Sequence, residues 1–405
     1  MGLFKKIKSF LFYSSSSPFL WVLLSLVLGI LIGTSSALFL FILEYVTTLR
    51  HANPAFLYGL PLGGFLIGYL YFHFGGRANK GNNLLLQEYH HPIEKISFKM
   101  APFVLLGTWI THLFGGSAGR EGTAIQIGGT LADQFTQLFK LTPKGRQVLL
   151  LMGISGGFAS VFGTPLAGAL FALELMGVSR KKYTYIFPVL LTAFISHYVC
   201  LTWGITHTIY VVESVPPLSL LLLLKIGLAG ILFGLTAVLF VKSTNLVTYL
   251  SHSCINYAPL RPFWGGIVLI LLCFLIQDQQ FLGLGIETIV HSFSTSQPFA
   301  IFLLKILFTA VTLGTGFKGG EVTPLFFIGA TLGSFLALYL QLPLSFVASL
   351  GFVAVFAGAT KTPFACLCMA GELFGTEVLI YACLACLIAY RISGKHSIYK
   401  IQLYQ

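Results

Sequence analysis

Charge is scarce in this sequence. Asp, Glu, Lys and Arg together make up 9% of its 405 residues, against about 25% in ordinary soluble domains, which excludes a soluble globular fold. Acids are rarest: 12 Asp and Glu stand against 24 Lys and Arg, a formal net charge of +12. Cysteine is sparse too, with seven in all. Cys383-x-x-Cys386 has redox or metal spacing, but no second ligand pair accompanies it, so the cysteines read as small buried hydrophobes. His90-His91-x-x-Glu94 lacks a third convergent ligand and reads as a solvated or interfacial loop. Neither a metal nor a cofactor is expected.

What fills the chain instead is apolar. Hydrophobic residues make up 56% of it, and mean hydropathy is +0.88. Apolar runs recur near 18–43, 55–75, 101–117, 146–179, 184–204, 219–243, 262–283, 300–340 and 342–391. A helix crosses a bilayer with about 20 such residues, so nine or more membrane-embedded stretches are expected. Several runs are too long or too glycine-broken to be one helix. The basic residues gather in short loops: Lys5–Lys6–Lys8, Arg77–Lys80, Lys140–Lys144–Arg146, Arg180–Lys181–Lys182 and Arg391–Lys395–Lys400. Short basic loops mark the cytoplasmic side, so the excess charge reports topology rather than nucleic-acid binding. Two apolar runs lie between Lys8 and Arg77, which returns the chain to one side and puts the N-terminus in the cytoplasm. Residues 1–17 are basic and serine-rich, and the run after them is too long for a signal-peptide core, so it reads as a retained first helix.

The chain repeats itself. GISGGFASVFGTPLAGALFALELMG at 153–177 matches GFVAVFAGATKTPFACLCMAGELFG at 351–375, an offset of 198. Gly153/Gly351, Thr164/Thr362, Pro165/Pro363 and Glu174/Glu372 coincide. Upstream, GREGT at 119–123 matches GGEVT at 319–323, and Gly128-x-Thr130 then matches Gly329-x-Thr331. This predicts a first transmembrane repeat over 18–205, a linker at 206–218 ending in Pro216–Pro217, and a second repeat over 219–392, with a tail at 393–405. Duplicated transporters commonly have inverted halves, with the site at the midplane where helices break. The expected fold is an all-α polytopic membrane protein of two inverted-topology repeats with broken and re-entrant helices.

Four of the scarce acids, Glu121, Glu174, Glu321 and Glu372, fall inside the paired motifs. Ionisable groups at membrane depth are functional hypotheses by default. Glu174 and Glu372 sit on long apolar runs after a Thr-Pro pair and are expected to brace the fold through backbone or helix ends. Glu121 and Glu321 instead follow glycines where a helix starts. Such a start offers free N–H groups and a partial positive charge, a ready anion site. Gly119, Gly122, Gly319 and Gly320 let backbone N–H groups approach a small ion closely. A carboxylate there can occupy the anion site or leave it on protonation, which couples anion to proton movement. Arg120 reads as a structural partner at the helix start.

GGSAGREGTAIQIGG at 115–129 resembles the Gly-Arg-Glu-Gly-Pro signature of the CLC family of chloride channels and anion/proton exchangers. GFKGGEVTPLFFIGATLG at 316–333 resembles that family's G-x-F-x-P motif, and the likeness runs from about residue 20 to 400. The departures are informative. Thr123 replaces the usual Pro, Val322 the usual Phe, Asn82 in KGNNLLL stands at the usual Ser, and Leu175 stands where chloride exchangers carry an internal proton glutamate. This combination is similar to the fluoride/proton antiporter branch. The resemblance implies that Glu121 is the gating glutamate and that Glu321 and Thr323 serve a second fluoride/proton pathway. It implies that Asn82, Gly119, Gly122, Gly320, Val322, Thr323 and Tyr399 line the anion path, Tyr399 being preferred over Tyr404. It further implies a homodimer in a bacterial cytoplasmic (inner) membrane that exports fluoride against protons. The alternative of the same fold is a chloride/proton exchanger or passive anion channel. Fluoride holds water tightly, and the amide of Asn82 and the hydroxyls of Thr323 and Tyr399 are donors suited to replace it.

An enzyme is the rival from another class. Gly115-x-Ser117-x-Gly119 matches a serine nucleophile elbow, and Ser155 lies in a similar glycine setting, with His112 or His197 as the base each would need. Neither histidine recurs with the repeat, so no hydrolase is expected.

Overall fold

The computed structural model of the chain describes residues 18–177 and 185–399. The basic segment 1–17, Arg180, Lys181, Lys182, Lys400 and Tyr404 lie outside the described residues. Among the described residues there are sixteen α-helices, in two sets of matching order. The first set is α1 (Pro18–Ala52), α2 (Leu60–Leu70), α3 (Asn82–His90), α4 (Met100–Leu113), α5 (Glu121–Leu138), α6 (Pro143–Phe162), α7 (Pro165–Leu175) and α8 (Ile186–Thr202). The second is α9 (Leu220–Cys254), α10 (Leu260–Ile276), α11 (Ile286–His291), α12 (Ala300–Thr315), α13 (Val322–Leu340), α14 (Leu344–Thr360), α15 (Pro363–Phe374) and α16 (Leu379–Ile392). The two leading helices, α1 and α9, each have 35 residues. At 1.5 Å per residue they are about 50 Å long, well over the hydrocarbon thickness of about 30 Å.

Helix number departs from a simple count of apolar runs. The runs at 146–179, 300–340 and 342–391 each break into two or three helices. Thr164–Pro165 and Thr362–Pro363 start α7 and α15 with proline in the first turn, where its missing N–H has no intrahelical partner to lose. The glycine loop at 316–320 separates α12 from α13. Five described helices are long and apolar enough to span a membrane, and the others are shorter, as broken helices must be.

The repeated glycines are points of contact. A Cβ on Gly128 would lie 2.1 Å from the Gly153 carbonyl oxygen, and one on Gly329 would lie 2.1 Å from that of Gly351. Helices α5 and α6, and in the second half α13 and α14, thus cross backbone to backbone. Small residues allow this, and in a bilayer such packing is what holds helices together. Gly351→Val should therefore destabilise the protein by about 3 kcal/mol and abolish a monodisperse peak on size exclusion after detergent extraction. A wild-type yield and peak would refute the crossing.

The two halves are also bolted to each other. Glu174 accepts from the backbone N–H groups of Phe364 (3.1 Å) and Ala365 (2.6 Å) at the start of α15. Glu372 accepts from Leu166 (2.9 Å) and Ala167 (2.8 Å) at the start of α7. Each brace expected from the sequence thus closes the broken helix of the opposite half, reciprocally, as a two-fold axis between inverted repeats demands. A stack of rings fills the space beside this axis, with Phe326 and Phe352 at 4.0 Å and 6°. Segment 205–219 has no helix, and it lies along the second half: Glu213 donates its N–H to Ser345 Oγ (3.1 Å) and Tyr381 donates to the Pro216 carbonyl (2.8 Å). All seven cysteines are free; Cys200, Cys273, Cys366 and Cys386 are buried, whereas Cys254 is exposed at the end of α9. His91 and Glu94 are exposed, and no cluster suited to a metal occurs among the described residues.

Candidate anion and proton site

The two glycine loops meet at the centre of the molecule. Gly119 donates to the Gly320 carbonyl at 2.6 Å, and Gly320 donates back to Gly119 at 2.7 Å. This corrects one expectation: the N–H groups of Gly119 and Gly320 each donate to the carbonyl of the opposite loop and do not face an ion. Buried backbone groups must be paired, and two loops of opposite halves meet that need together. A Cβ on Gly119 would stand 3.0 Å from the Gly320 oxygen, tighter than an ordinary contact, so glycine eases the close approach of the two loops. The N–H groups left for a ligand are those of the first turns of α5 and α13, which lack intrahelical acceptors.

Glu121 is the first residue of α5 and is wholly buried. Its carboxylate reaches across to α13, where Thr323 Oγ lies 2.8 Å from Oε1 and 2.7 Å from Oε2 and donates its hydroxyl. The Thr323 N–H donates to Oε2 at 3.2 Å, as does the Arg120 N–H. A carboxylate therefore sits where the start of α13 would receive an anion. The alternative role, capping its own helix, accounts only for the Arg120 contact. The Arg120 side chain approaches Glu121 no closer than 3.9 Å, and its Nε is buried without a partner.

Glu321 lies on the other side of the clasp as the residue capping α13. It borders a cavity of about 140 Å³ whose walls include Asn82, Asn83, Lys318 and Tyr399. Asn82 Oδ1, Asn83 Oδ1, Glu321 Oε2 and the Tyr399 hydroxyl are all buried without a hydrogen-bond partner. Unpaired buried polar atoms are uncommon, and the four residues that carry these all line one small cavity. Tyr399 is held there by the tail: Ile398 donates to the Ala359 carbonyl (3.0 Å) and Tyr399 N–H donates to Ser397 Oγ (3.1 Å). The Asn82 amide also abuts Gly122, whose Cβ would stand 3.1 Å from Nδ2. Asn82, Gly122, Glu321 and Tyr399 are thus neighbours, and Thr323 joins them through Glu121. Val322 is buried in the first turn of α13 without bordering the cavity. Thr123 bonds Thr108 of α4 at 2.7 Å, so the residue in place of proline ties two helices together.

An ion network that the sequence disguised sets the position of Asn82. Arg146, read above as part of a basic loop, is buried in α6. Its guanidinium donates to Asp133 at 2.6 and 2.8 Å and to Glu88 at 3.1 Å. Asp133 also accepts from Ile96 N–H (2.7 Å), Glu88 accepts from Ile93 N–H (3.0 Å), and Arg77 pairs with Glu88. Helix α3, which begins with Asn82, is thereby fixed to α5, which begins with Glu121. The available signal was acids and an arginine inside or beside apolar runs, but their pairing depends on contacts between helices. Arg146→Met leaves Asp133 buried without its cation and Glu88 with Arg77 alone, and should cost about 3–5 kcal/mol, read as a lowered unfolding temperature in detergent. An unshifted transition would remove the network from the account.

The hydrolase constellation does not assemble. Ser117 Oγ bonds Thr309 Oγ1 at 3.0 Å, and Ser155 Oγ donates to the Val189 carbonyl at 3.2 Å. The His112 ring lies between the carbonyls of Thr108 (2.8 Å) and Ala118 (3.1 Å). Among the described residues no hydrogen bond joins either serine to a histidine.

A family model described as voltage gated chloride channel matches residues 63–394. The chain is 46% identical over 388 residues to a chloride/fluoride channel protein of Pseudomonas syringae pv. tomato, covering 94% of this chain and 86% of that protein. It superposes on a CLC-type fluoride/proton antiporter with a TM-score of 0.91 and 35% identity, over 96% of this chain and 99% of the other. A slow cyanobacterial Cl⁻/H⁺ antiporter shares the fold at a TM-score of 0.83 and 18% identity, over 95% of this chain and 97% of that one. Two inverted halves joined through Gly119 and Gly320 are therefore the frame of a polytopic membrane protein that belongs to the CLC family of voltage gated chloride channels and their transporter relatives.

Proposed function

We propose that this protein is a fluoride/proton antiporter. The observation that carries the reading is the Glu121 carboxylate held on Thr323 at the start of α13. While ionised it fills the anion position. Protonation removes its charge and weakens the charge-assisted bonds, so the side chain leaves and the Thr323 hydroxyl and N–H become donors to fluoride. Glu321, Asn82 and Tyr399 then supply the inner station, where Glu321 must be protonated to sit beside an anion and can donate to it. The names carried by the 46% identical relative and by the 35% identical structure include fluoride, and Leu175 is a buried apolar side chain where the chloride exchangers resembled above have a proton glutamate.

Lys80 lies in the wall of the Glu321 cavity, Arg77 three residues before it pairs with Glu94, and Lys95 follows Glu94 in the chain, so these cations form one basic face. By the positive-inside rule this face is cytoplasmic, in a bacterial inner membrane. Fluoride then leaves the cell as protons enter, in a homodimer with one pathway per subunit, and the protein acts as a transporter rather than an enzyme.

Reconstituted liposomes test the reading, with fluoride, chloride and proton fluxes recorded together. Fluoride efflux with stoichiometric proton uptake is expected. Equal chloride flux would overturn the fluoride assignment, and fluoride flux without protons would leave a channel.

A further inference from the structure

One cation at the centre of the molecule has no role in the exchange cycle described above. Lys318 lies in the loop between α12 and α13, three residues before Glu321. Its ammonium stands 4.0 Å from the centroid of the Tyr71 ring. Its stem passes over Gly107 of α4, where a Cβ would meet the Lys318 Cβ and Cγ at 2.9 Å. Glycine at 107 therefore makes the passage that the lysine occupies. Among the described residues Lys318 forms no ion pair.

Lys318 also borders two cavities. One is the cavity of about 140 Å³ where Asn82, Glu321 and Tyr399 converge. The other, of about 420 Å³, is lined by Asn79, His252 and Arg261 near the ends of α2 and α9. Tyr71, Leu313, Phe317 and Lys318 belong to the walls of both. Across the two linings Glu321 is the single acid, against Lys80, Arg261 and Lys318. Arg261 is engaged with the Ile255 carbonyl (3.0 Å) and His252 (3.3 Å), and Lys80 with Gln87 (2.8 Å). Lys318 is the cation in these walls that lies against an aromatic face, which attracts its charge without neutralising it. A partly buried cation in a water-poor setting draws a small anion far more strongly than one in bulk water.

We propose that Lys318 is a fluoride-capture site, ahead of Glu321, loaded from the larger basic cavity. The inference rests on the antiport reading and extends it: the ammonium holds the halide beside Tyr71 and passes it to the donors around Glu321.

The test is the dependence of exchange on fluoride at the face that carries Lys80, in liposomes of known orientation. Lys318→Gln should raise the half-saturating fluoride concentration about tenfold or more, with the fluoride-to-proton ratio unchanged because Glu121 and Glu321 are untouched. Lys318→Arg keeps the charge and should stay within about threefold of wild type. Lys318→Cys offers a third arm in a single preparation. Aminoethyl methanethiosulfonate restores a positive charge and should recover affinity, while the sulfonatoethyl reagent should not. Wild type treated alike controls for the seven native cysteines. Removing Lys318 breaks no ion pair, so the neutral variants should fold; if Lys318→Gln does not, the Arg and Cys arms decide. Unchanged half-saturation in Lys318→Gln, an equal loss in Lys318→Arg, or indifference of Lys318→Cys to the sign of the reagent would each overturn the proposal. Absence of exchange in the wild-type protein would instead sink the antiport reading itself.

Discussion

Glu121→Gln should abolish proton-coupled exchange, lowering fluoride-driven proton uptake on the order of 100-fold or more. The amide has the size of the acid and can still meet Thr323, whose hydroxyl lies 2.8 and 2.7 Å from the two carboxylate oxygens. What it cannot do is carry and release a proton, or act as an anion competing for the start of α13. On the antiport reading that competition is a required link between the two substrates, so the coupling should vanish even if some fluoride still passes. The measurement is proton uptake by a pH-sensitive dye in liposomes under a fluoride gradient, beside a fluoride electrode. Coupled exchange within a few-fold of wild type in Glu121→Gln would remove the residue from its gating role. A loss seen equally in fluoride binding and in thermal stability would point to a folding defect, which the buried bonds to Thr323 and Arg120 make it necessary to check.

Glu321→Gln should be nearly as severe, for a different reason. The Glu321 carboxylate has an oxygen buried without a partner, in the same small space as Asn82, Asn83 and Tyr399. An amide preserves volume and can donate to a fluoride, so equilibrium fluoride binding by calorimetry should remain within about threefold. Turnover should fall on the order of 100-fold, because the inner station can no longer shed its proton to let the anion move on. Loss of binding together with turnover is the pattern of an interaction used in both steps, and would show that Glu321 holds fluoride rather than handing protons. Unchanged turnover would leave the proton route without its inner carrier. The pair of variants separates two stations that a single flux measurement would merge.

Much of this protein is legible along the chain. The scarcity of charge and the apolar runs announce membrane helices, because lipid tolerates few ionised groups and demands internal backbone pairing. The repeat is visible because both halves meet the same packing demands. Gly128 and Gly153 let α5 and α6 touch, and Gly329 and Gly351 do the same for α13 and α14. The start of α5 and the residue capping α13 fall at Glu121 and Glu321, beside glycines that are strong local punctuation. Each of these features is local, or recurs with a fixed offset, and so leaves a trace in order and composition.

What the chain order concealed is which residues face each other. The glycine N–H groups looked free, but Gly119 and Gly320 close on one another. Arg146 looked like a loop charge, but it is the buried partner of Asp133 and Glu88. Nothing in the order of residues singles out Lys318, and only its place above Tyr71 sets it between two cavities. The sequence by itself determined a duplicated membrane protein with two carboxylates at helix starts, since periodicity and local turn chemistry are written residue by residue. Only the tertiary structure decided that one carboxylate rests on the opposite half, that Glu174 and Glu372 each close the other's broken helix, and that four residues with unpaired polar atoms line one cavity. Those are contacts between distant segments, created when two inverted halves pack about a common axis, and no local pattern encodes their pairing.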